Sequence, residues 1–216
     1  MRTLALAVIS LAMQDEKKFT DTFPVAADEW SSTGSNPYFV LEEGHTLTLE
    51  GGKGVLTVTV LGETKKVDGV ETRIVEERET EGGELKEVSR NYFAISRKTS
   101  SVYYFGEDVD IYERGTVVGH DGSWLSGEKG ARFGLMMPGT PLLGARYYQE
   151  IAPRVAMDRA EIVSLEEKFD GKFERCLKIE ESSPLEKGKQ YKLYAPGVGL
   201  VQDGELKLTR VTRARK

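Results

Sequence analysis

Glu107, Asp108 and Asp110 supply carboxylate oxygens, and His120 supplies an imidazole nitrogen beyond a turn at Arg114-Gly115. Asp108 and Asp110 share one side of a strand, and a hairpin centred near Gly115 returns residues 116–120 beside them. Oxygen and imidazole donors of this kind suit calcium, manganese or zinc. The spacing lacks the ligand ladder of an EF-hand loop, and a solvated turn has the same composition. A second set is Tyr147-Tyr148-Gln149-Glu150 with Asp158 beyond it. If their strands pair, Glu150 and Asp158 lie close, and two neighbouring carboxylates divide acid and base work when burial separates their pKa values. Arg159 is expected to neutralise one of them in an ordinary ion pair. His120, Asp121 and Ser123 are close in sequence, but no G-x-S-x-G elbow accompanies them. Cys176 has no histidine near it in sequence and reads as a small packing residue. No phosphate-cradling loop and no dinucleotide fingerprint occur.

The elements that must carry these groups follow from composition and punctuation. The chain has 216 residues, 39% hydrophobic and 30% charged, with a net charge of −5. That is too polar for a multi-span membrane protein and too apolar for a disordered chain. One cysteine forbids an intramolecular disulfide, and two histidines rule out a three-histidine metal site within one chain. Five basic residues sit in the last ten positions, which leaves 25 basic against 35 acidic residues in the rest. An acidic body argues against duplex nucleic acid as a partner. The basic tail is a candidate contact for an envelope partner, or a frayed terminus.

From His45 onward, apolar and polar residues alternate in runs separated by turn residues. The runs are 45–50, 56–60, 72–79, 85–97, 101–105, 108–113, 146–151, 156–169, 172–181, 189–195, 199–203 and 205–213. Asp68-Gly69, Asp170-Gly171 and Asp203-Gly204 are hairpin turn dipeptides. Helical periodicity longer than about two turns is absent. The pattern predicts an all-β domain over residues 45–213, a curled antiparallel meander sheet or wide half-open barrel of about ten strands. Residues 13–44 read as a tether and cap whose Trp30, Tyr38 and Phe39 dock on the body. Residues 115–144 hold eight glycines and two prolines among His120, Trp124, Phe133, Met136 and Met137. A glycine-rich stretch with such anchors is expected to be ordered, as a lid over one end or face of the sheet.

Face polarity carries the functional reading. In residues 85–95, one face is Leu85, Glu87, Ser89, Asn91, Phe93 and Ile95, and the other is Lys86, Val88, Arg90, Tyr92 and Ala94. Neither face is cleanly apolar, whereas a sandwich strand separates the two characters. Two wet surfaces, one outside and one lining a cavity, satisfy this pattern. Long Arg and Glu stems covering the sheet also satisfy it. The favoured ligand-binding candidates are Arg90, Asn91, Tyr92, Tyr104, Trp124, Tyr148 and Glu150. The expected ligand is a small apolar or amphipathic molecule, including a lipid, with no cofactor. The alternatives are a divalent-metal protein or enzyme using Glu107, Asp108, Asp110 and His120, and a structural envelope module docking through the tail that ends in residues 214–216.

Residues 1–12 combine Arg2 with an apolar run from Leu4 to Ala12 and resemble a signal peptide, which predicts export to the periplasm or cell envelope. The run is too short to span a bilayer, which needs about 20 residues. Several motifs extend this. Asn36-Pro37-Tyr38-Phe39, Ser89-Arg90-Asn91-Tyr92-Phe93-Ala94, Tyr104-Phe105-Gly106-Glu107-Asp108-Val109-Asp110, His120-x-Gly122-Ser123-Trp124 and Tyr148-Gln149-Glu150 resemble those of a group of exported bacterial β-proteins. The ending Tyr194-Ala195-Pro196-Gly197-Val198-Gly199-Leu200-Val201 is similar to that of the lipoprotein-carrier-like class. That resemblance implies a curled, incompletely closed sheet whose concave side holds apolar or amphipathic ligands. It supplies no catalytic residue, and the capping helices of classical carriers are missing here.

Overall fold

A computed structural model describes residues 18–213. The signal-like stretch 1–12 and the tail end 214–216 lie outside the described residues. The architecture is all-β. Its strands in chain order are β1 (Thr46–Gly51), β2 (Gly54–Val67), β3 (Val70–Glu81), β4 (Glu84–Ser96), β5 (Val102–Glu113), β6 (Arg132–Met137), β7 (Arg146–Tyr148), β8 (Glu150–Ile151), β9 (Arg159–Phe169), β10 (Phe173–Ser182), β11 (Gln190–Ala195), β12 (Gly199–Asp203) and β13 (Leu206–Thr212). They form one antiparallel sheet in the order β7-β9-β10-β11-β12-β13-β1-β2-β3-β4-β5-β6-β8. Short strands Trp30–Ser31, Thr116–Gly119 and Trp124–Leu125 join its sides. No helix among the described residues is long and apolar enough to cross a membrane.

The two ends of this order, β7 and β8, are separated in sequence by Gln149 alone. A run that reads as one strand, 146–151, is therefore two. One half pairs with β9 (Tyr147 opposite Ala160) and the other with β6 (Glu150 opposite Phe133). The sheet curls into a nearly closed barrel with one unsealed seam, and Gln149 stands in that seam. Gly134 makes the crossing possible. A Cβ on it would lie 2.4 Å from the Gln149 carbonyl carbon, inside any attainable contact.

The runs 101–105 and 108–113 are a single strand, β5, interrupted by a bulge at Gly106. Asn91 pairs with Glu107 and Phe93 with Tyr104, so β5 carries one residue more than β4 between the two pairs. Gly106 has a φ of 133°, and a Cβ there would meet the Trp124 carbonyl at 2.3 Å. The extra residue reverses the alternation and turns Tyr104 and Glu107 to the same face, sending Asp108 and Asp110 to the other.

Inside the barrel, Val60, Val75, Phe93, Met137, Ile162 and Ile179 are buried in the main apolar cluster. Leu47, Leu49, Leu56, Phe169, Cys176 and Val201 form a second cluster, in which Cys176 is fully buried as a packing residue. Each such side chain contributes roughly 1.5–3 kcal/mol. The outer face of β4 and β5 is covered by the N-terminal segment. Trp30 meets Tyr103, Phe105 and Phe133 edge-on at 5.2–5.5 Å, whereas Phe39 packs on the inner side, meeting Phe93 at 4.9 Å. Buried Arg73 fixes the same segment through backbone carbonyls, donating to Ser32 O (3.1 Å) and Gly62 O (2.6 Å). The glycine-rich stretch is ordered as expected, and much of it is strand. Thr116–Gly119, Trp124–Leu125 and β6 all pair with β5.

The Gly134 crossing sets the first prediction. Gly134→Ala lowers unfolding free energy by about 2–4 kcal/mol in urea titration, because the clash is with backbone. Gly83→Ala, in an open turn with positive φ, costs only about 1 kcal/mol. Equal losses at the two sites would refute the close crossing.

Candidate functional site

The interior faces of β3, β4 and β5 place acids at successive levels. Glu77 stands opposite Ser89, and Glu79 opposite Glu87. Asn91 lies between Val75 and Glu107 on its two neighbours. From the other wall come Asp158, Glu181 and Lys192, and from the seam Gln149 and Glu150. Together these residues line an open cavity of about 190 Å³, with Phe93, Tyr104 and Met136. The Tyr104 hydroxyl donates to Asn91 Oδ1, and Asn91 Nδ2 donates to Val75 O at 3.3 Å. Gln149 ties the seam to the far wall, its Nε2 donating to Glu181 Oε1 at 2.9 Å and its backbone N–H to Asp158 O at 2.8 Å.

A second, apolar compartment of about 70 Å³ adjoins the first. Phe39, Leu47, Val58, Val60 and Leu200 line it, and it shares Glu77, Met136 and Lys192 with the acidic cavity. Its rim includes His45, whose Nε2 lies 2.8 Å from Val198 O. The lumen thus runs from an apolar end to a carboxylate-rich end.

Charge in this cavity is poorly compensated. Lys192 pairs with Glu181 at 3.0 Å and Asp203 at 3.6 Å. Burial works against its charge, but the two carboxylates override that and hold its pKa well above the usual lysine range. Among the described residues, no cationic side chain lies within ion-pair distance of Glu77, Glu107 or Glu150. Burial first, and neighbouring carboxylates second, push the Glu77 carboxyl up to about 7 and Glu107 up to about 8. Glu150 rises well above the carboxylate range, chiefly by burial and then by the charge of Glu107 and Asp158. Asp158 rises too, by burial and Glu181. Glu150 is 7% exposed and its Oε2 has no hydrogen-bond partner; the Trp124 indole N–H, also without a formed hydrogen bond, faces the Glu107 and Glu150 carboxylates and partly offsets the rise of both.

The structure divides the residues singled out from the sequence. Asn91, Tyr104 and Glu150 line the acidic cavity. Trp124 is buried against Tyr104, edge-on at 5.3 Å, and separates that cavity from an outer depression of about 250 Å³ lined by Asp108, Ser123 and Lys129. Arg90, Tyr92 and Tyr148 do not join them. Arg90 pairs on the outer face with Asp110 (3.2 Å) and Glu76 (3.4 Å). Tyr92 donates to Asp108 beneath Lys65, and Tyr148 meets Phe19 edge-on at 6.2 Å. Alternation along β4 puts Arg90 and Tyr92 on the face opposite Asn91 and Phe93, and the split at Gln149 accounts for Tyr148.

Glu107, Asp108, Asp110 and His120 are likewise not brought together. The hairpin at Gly115 forms as expected, and His120 Nδ1 reaches Asp110 Oδ1 at 3.1 Å. Asp108 is engaged by Lys65 at 2.8 Å, and Glu107 is on the opposite face, in the lumen. Among the described residues no three His, Cys, Asp or Glu side chains converge at metal-binding spacing. Glu150 and Asp158 do share the cavity, but Arg159 neutralises neither; its guanidinium lies over the Phe19 ring at 4.6 Å. Glu77, Glu79, Glu87, Gln149, Glu181 and Lys192 were not among the sequence candidates. The one sequence signal for them was the polar face Glu87-Ser89-Asn91. Comparison with protein-family models, curated proteins and solved structures finds no match to this chain.

Raised carboxyl pKa values fix a pH dependence. Between the ordinary value of 4.5 and the raised values near 7 and 8, the folded protein binds more protons than the unfolded chain. Stability therefore falls as pH rises across that window. Glu107→Gln, which imitates the protonated acid, removes part of the slope. It raises the melting temperature by roughly 5 °C near pH 8.5 and changes it little near pH 5. A melting temperature equally affected at both pH values would overturn this account.

Proposed function

We propose that the protein binds a small amphipathic molecule inside its barrel. The observation that carries the reading is the junction of an apolar compartment, lined by Leu47, Val58, Val60 and Leu200, with a polar one at Glu77, Met136 and Lys192. Apolar area leaving water supplies affinity at about 25 cal/mol per Å². The polar compartment orients the ligand through a few directed groups, Asn91, Tyr104, Gln149 and Glu150. Ligand sites commonly lie in the mouths of β-barrels, and here the seam at Gln149 interrupts the hydrogen-bonded wall beside the cavity.

The protein acts, on this reading, as an exported carrier or receptor rather than an enzyme. Export is supported by Arg2 and the apolar run ending at Ala12. Carriage on a concave sheet face is also what the resemblance of the Tyr194–Val201 stretch to the lipoprotein-carrier-like class implies. A compact head and a short chain suit the size of the cavity better than a two-chain lipid does.

Trp30 and Trp124 are the only tryptophans, so a Trp30→Phe chain reports from Trp124 beside the cavity. Titration with eight-carbon alkyl compounds bearing an ammonium, hydroxyl or carboxylate head shifts its emission with saturation for at least one of them. Val58→Phe, which fills the apolar compartment, weakens that binding at least tenfold while the melting temperature shows the chain still folded. No saturable shift with any of the three heads would refute the proposal.

A further inference from the structure

The chemistry of the polar compartment narrows the ligand, on the premise that the lumen binds an amphipathic molecule at all. We propose that its head group is an organic ammonium, seated between the Glu107 and Glu150 carboxylates and bounded by the Tyr104 and Trp124 rings.

The geometry rests on three independent features. First, Glu150 is more than nine-tenths buried, lines the cavity, and presents an Oε2 with no hydrogen-bond partner. A buried acceptor left open is destabilising, and a donor in the cavity offsets that penalty. Second, the cation already present is committed elsewhere. Lys192 is held by Glu181 and Asp203, which leaves Glu77, Glu107 and Glu150 without a cation at ion-pair distance among the described residues. Third, the walls beside these acids are aromatic. Tyr104 stacks on Phe93 at 4.8 Å, and Trp124 stands edge-on to Tyr104. Aromatic faces attract cations through the ring quadrupole.

An ammonium matches these features better than other heads. A carboxylate or phosphate would add negative charge to an acidic chamber. A hydroxyl would satisfy Glu150 but would not compensate the charge that either acid carries once it gives up its proton. A bare divalent ion needs several converging ligands, and no such group of three exists among the described residues. A primary ammonium donates up to three hydrogen bonds, enough to serve both carboxylates at once, and its chain points toward Leu47 and Val58.

The test uses the full chain carrying Trp30→Phe, titrated near pH 8 with octylammonium, octanol and octanoate, with calcium as a further arm. The expected order is octylammonium at least tenfold tighter than octanol, with octanoate weakest. Glu107→Gln combined with Glu150→Gln brings octylammonium to the octanol level while the melting temperature shows the chain still folded, which separates loss of recognition from loss of fold. Octanol or octanoate binding as tightly as octylammonium would overturn the ammonium assignment while leaving ligand binding intact. So would octylammonium affinity indifferent to the double substitution, or calcium displacing it. If none of the three alkyl compounds binds, the lumen reading and the ammonium assignment fall together.

Discussion

A long antiparallel sheet must do something with its two open edges, and here both are handed to one stretch of chain. Strands β7 and β8 lie at opposite ends of the hydrogen-bonded order and one residue apart in sequence. Every other feature depends on that closure. It brings the wall carrying Asp158 and Glu181 across from the wall carrying Glu77 and Glu107. It places Gln149 where its amide can reach Glu181, and it turns a curved surface into a nearly closed barrel. The constraint is steric at root: only a residue without a side chain at position 134 lets the Gln149 backbone pass.

Closure also explains why the interior is energetically uneven. Over much of its length the barrel is filled by Val75, Ile162, Ile179 and similar side chains, in the manner of any compact core. At one level it holds acids that face each other. Glu79 and Glu87 are directly opposed across β3 and β4, an arrangement that destabilises a sheet. The buried acids lower their repulsion by keeping protons, as the raised values of Glu77 and Glu107 show. A protein assembled for stability alone would place apolar side chains at these positions.

Much of the fold was legible in the residues because its information is local. Turn dipeptides and alternation placed most of the long strands within a few residues, and the mixed face Glu87-Ser89-Asn91 pointed to a wet interior. The site was less legible because two of its determinants are not periodic. One is the bulge: a single extra residue at Gly106 turns Tyr104 and Glu107 to the same inward face, although a pattern read straight through puts them on opposite faces. A glycine within a strand was the available signal. The other is the seam, which joins residues such as Glu77, Glu107 and Glu150 that are far apart in the chain. Their proximity follows from which edges meet, and alternation within a strand carries no information about that.

The split of 146–151 at Gln149 has a mechanical meaning as well as an architectural one. Elsewhere the wall is a ladder, and a molecule passing through it would have to unzip consecutive backbone pairs. At Gln149 the ladder stops, and the gap is spanned mainly by an amide side chain and one main-chain bond. The barrel is thus held shut at its joint by the packing and polar contacts of one buried residue, where everywhere else it is held by a run of paired strands.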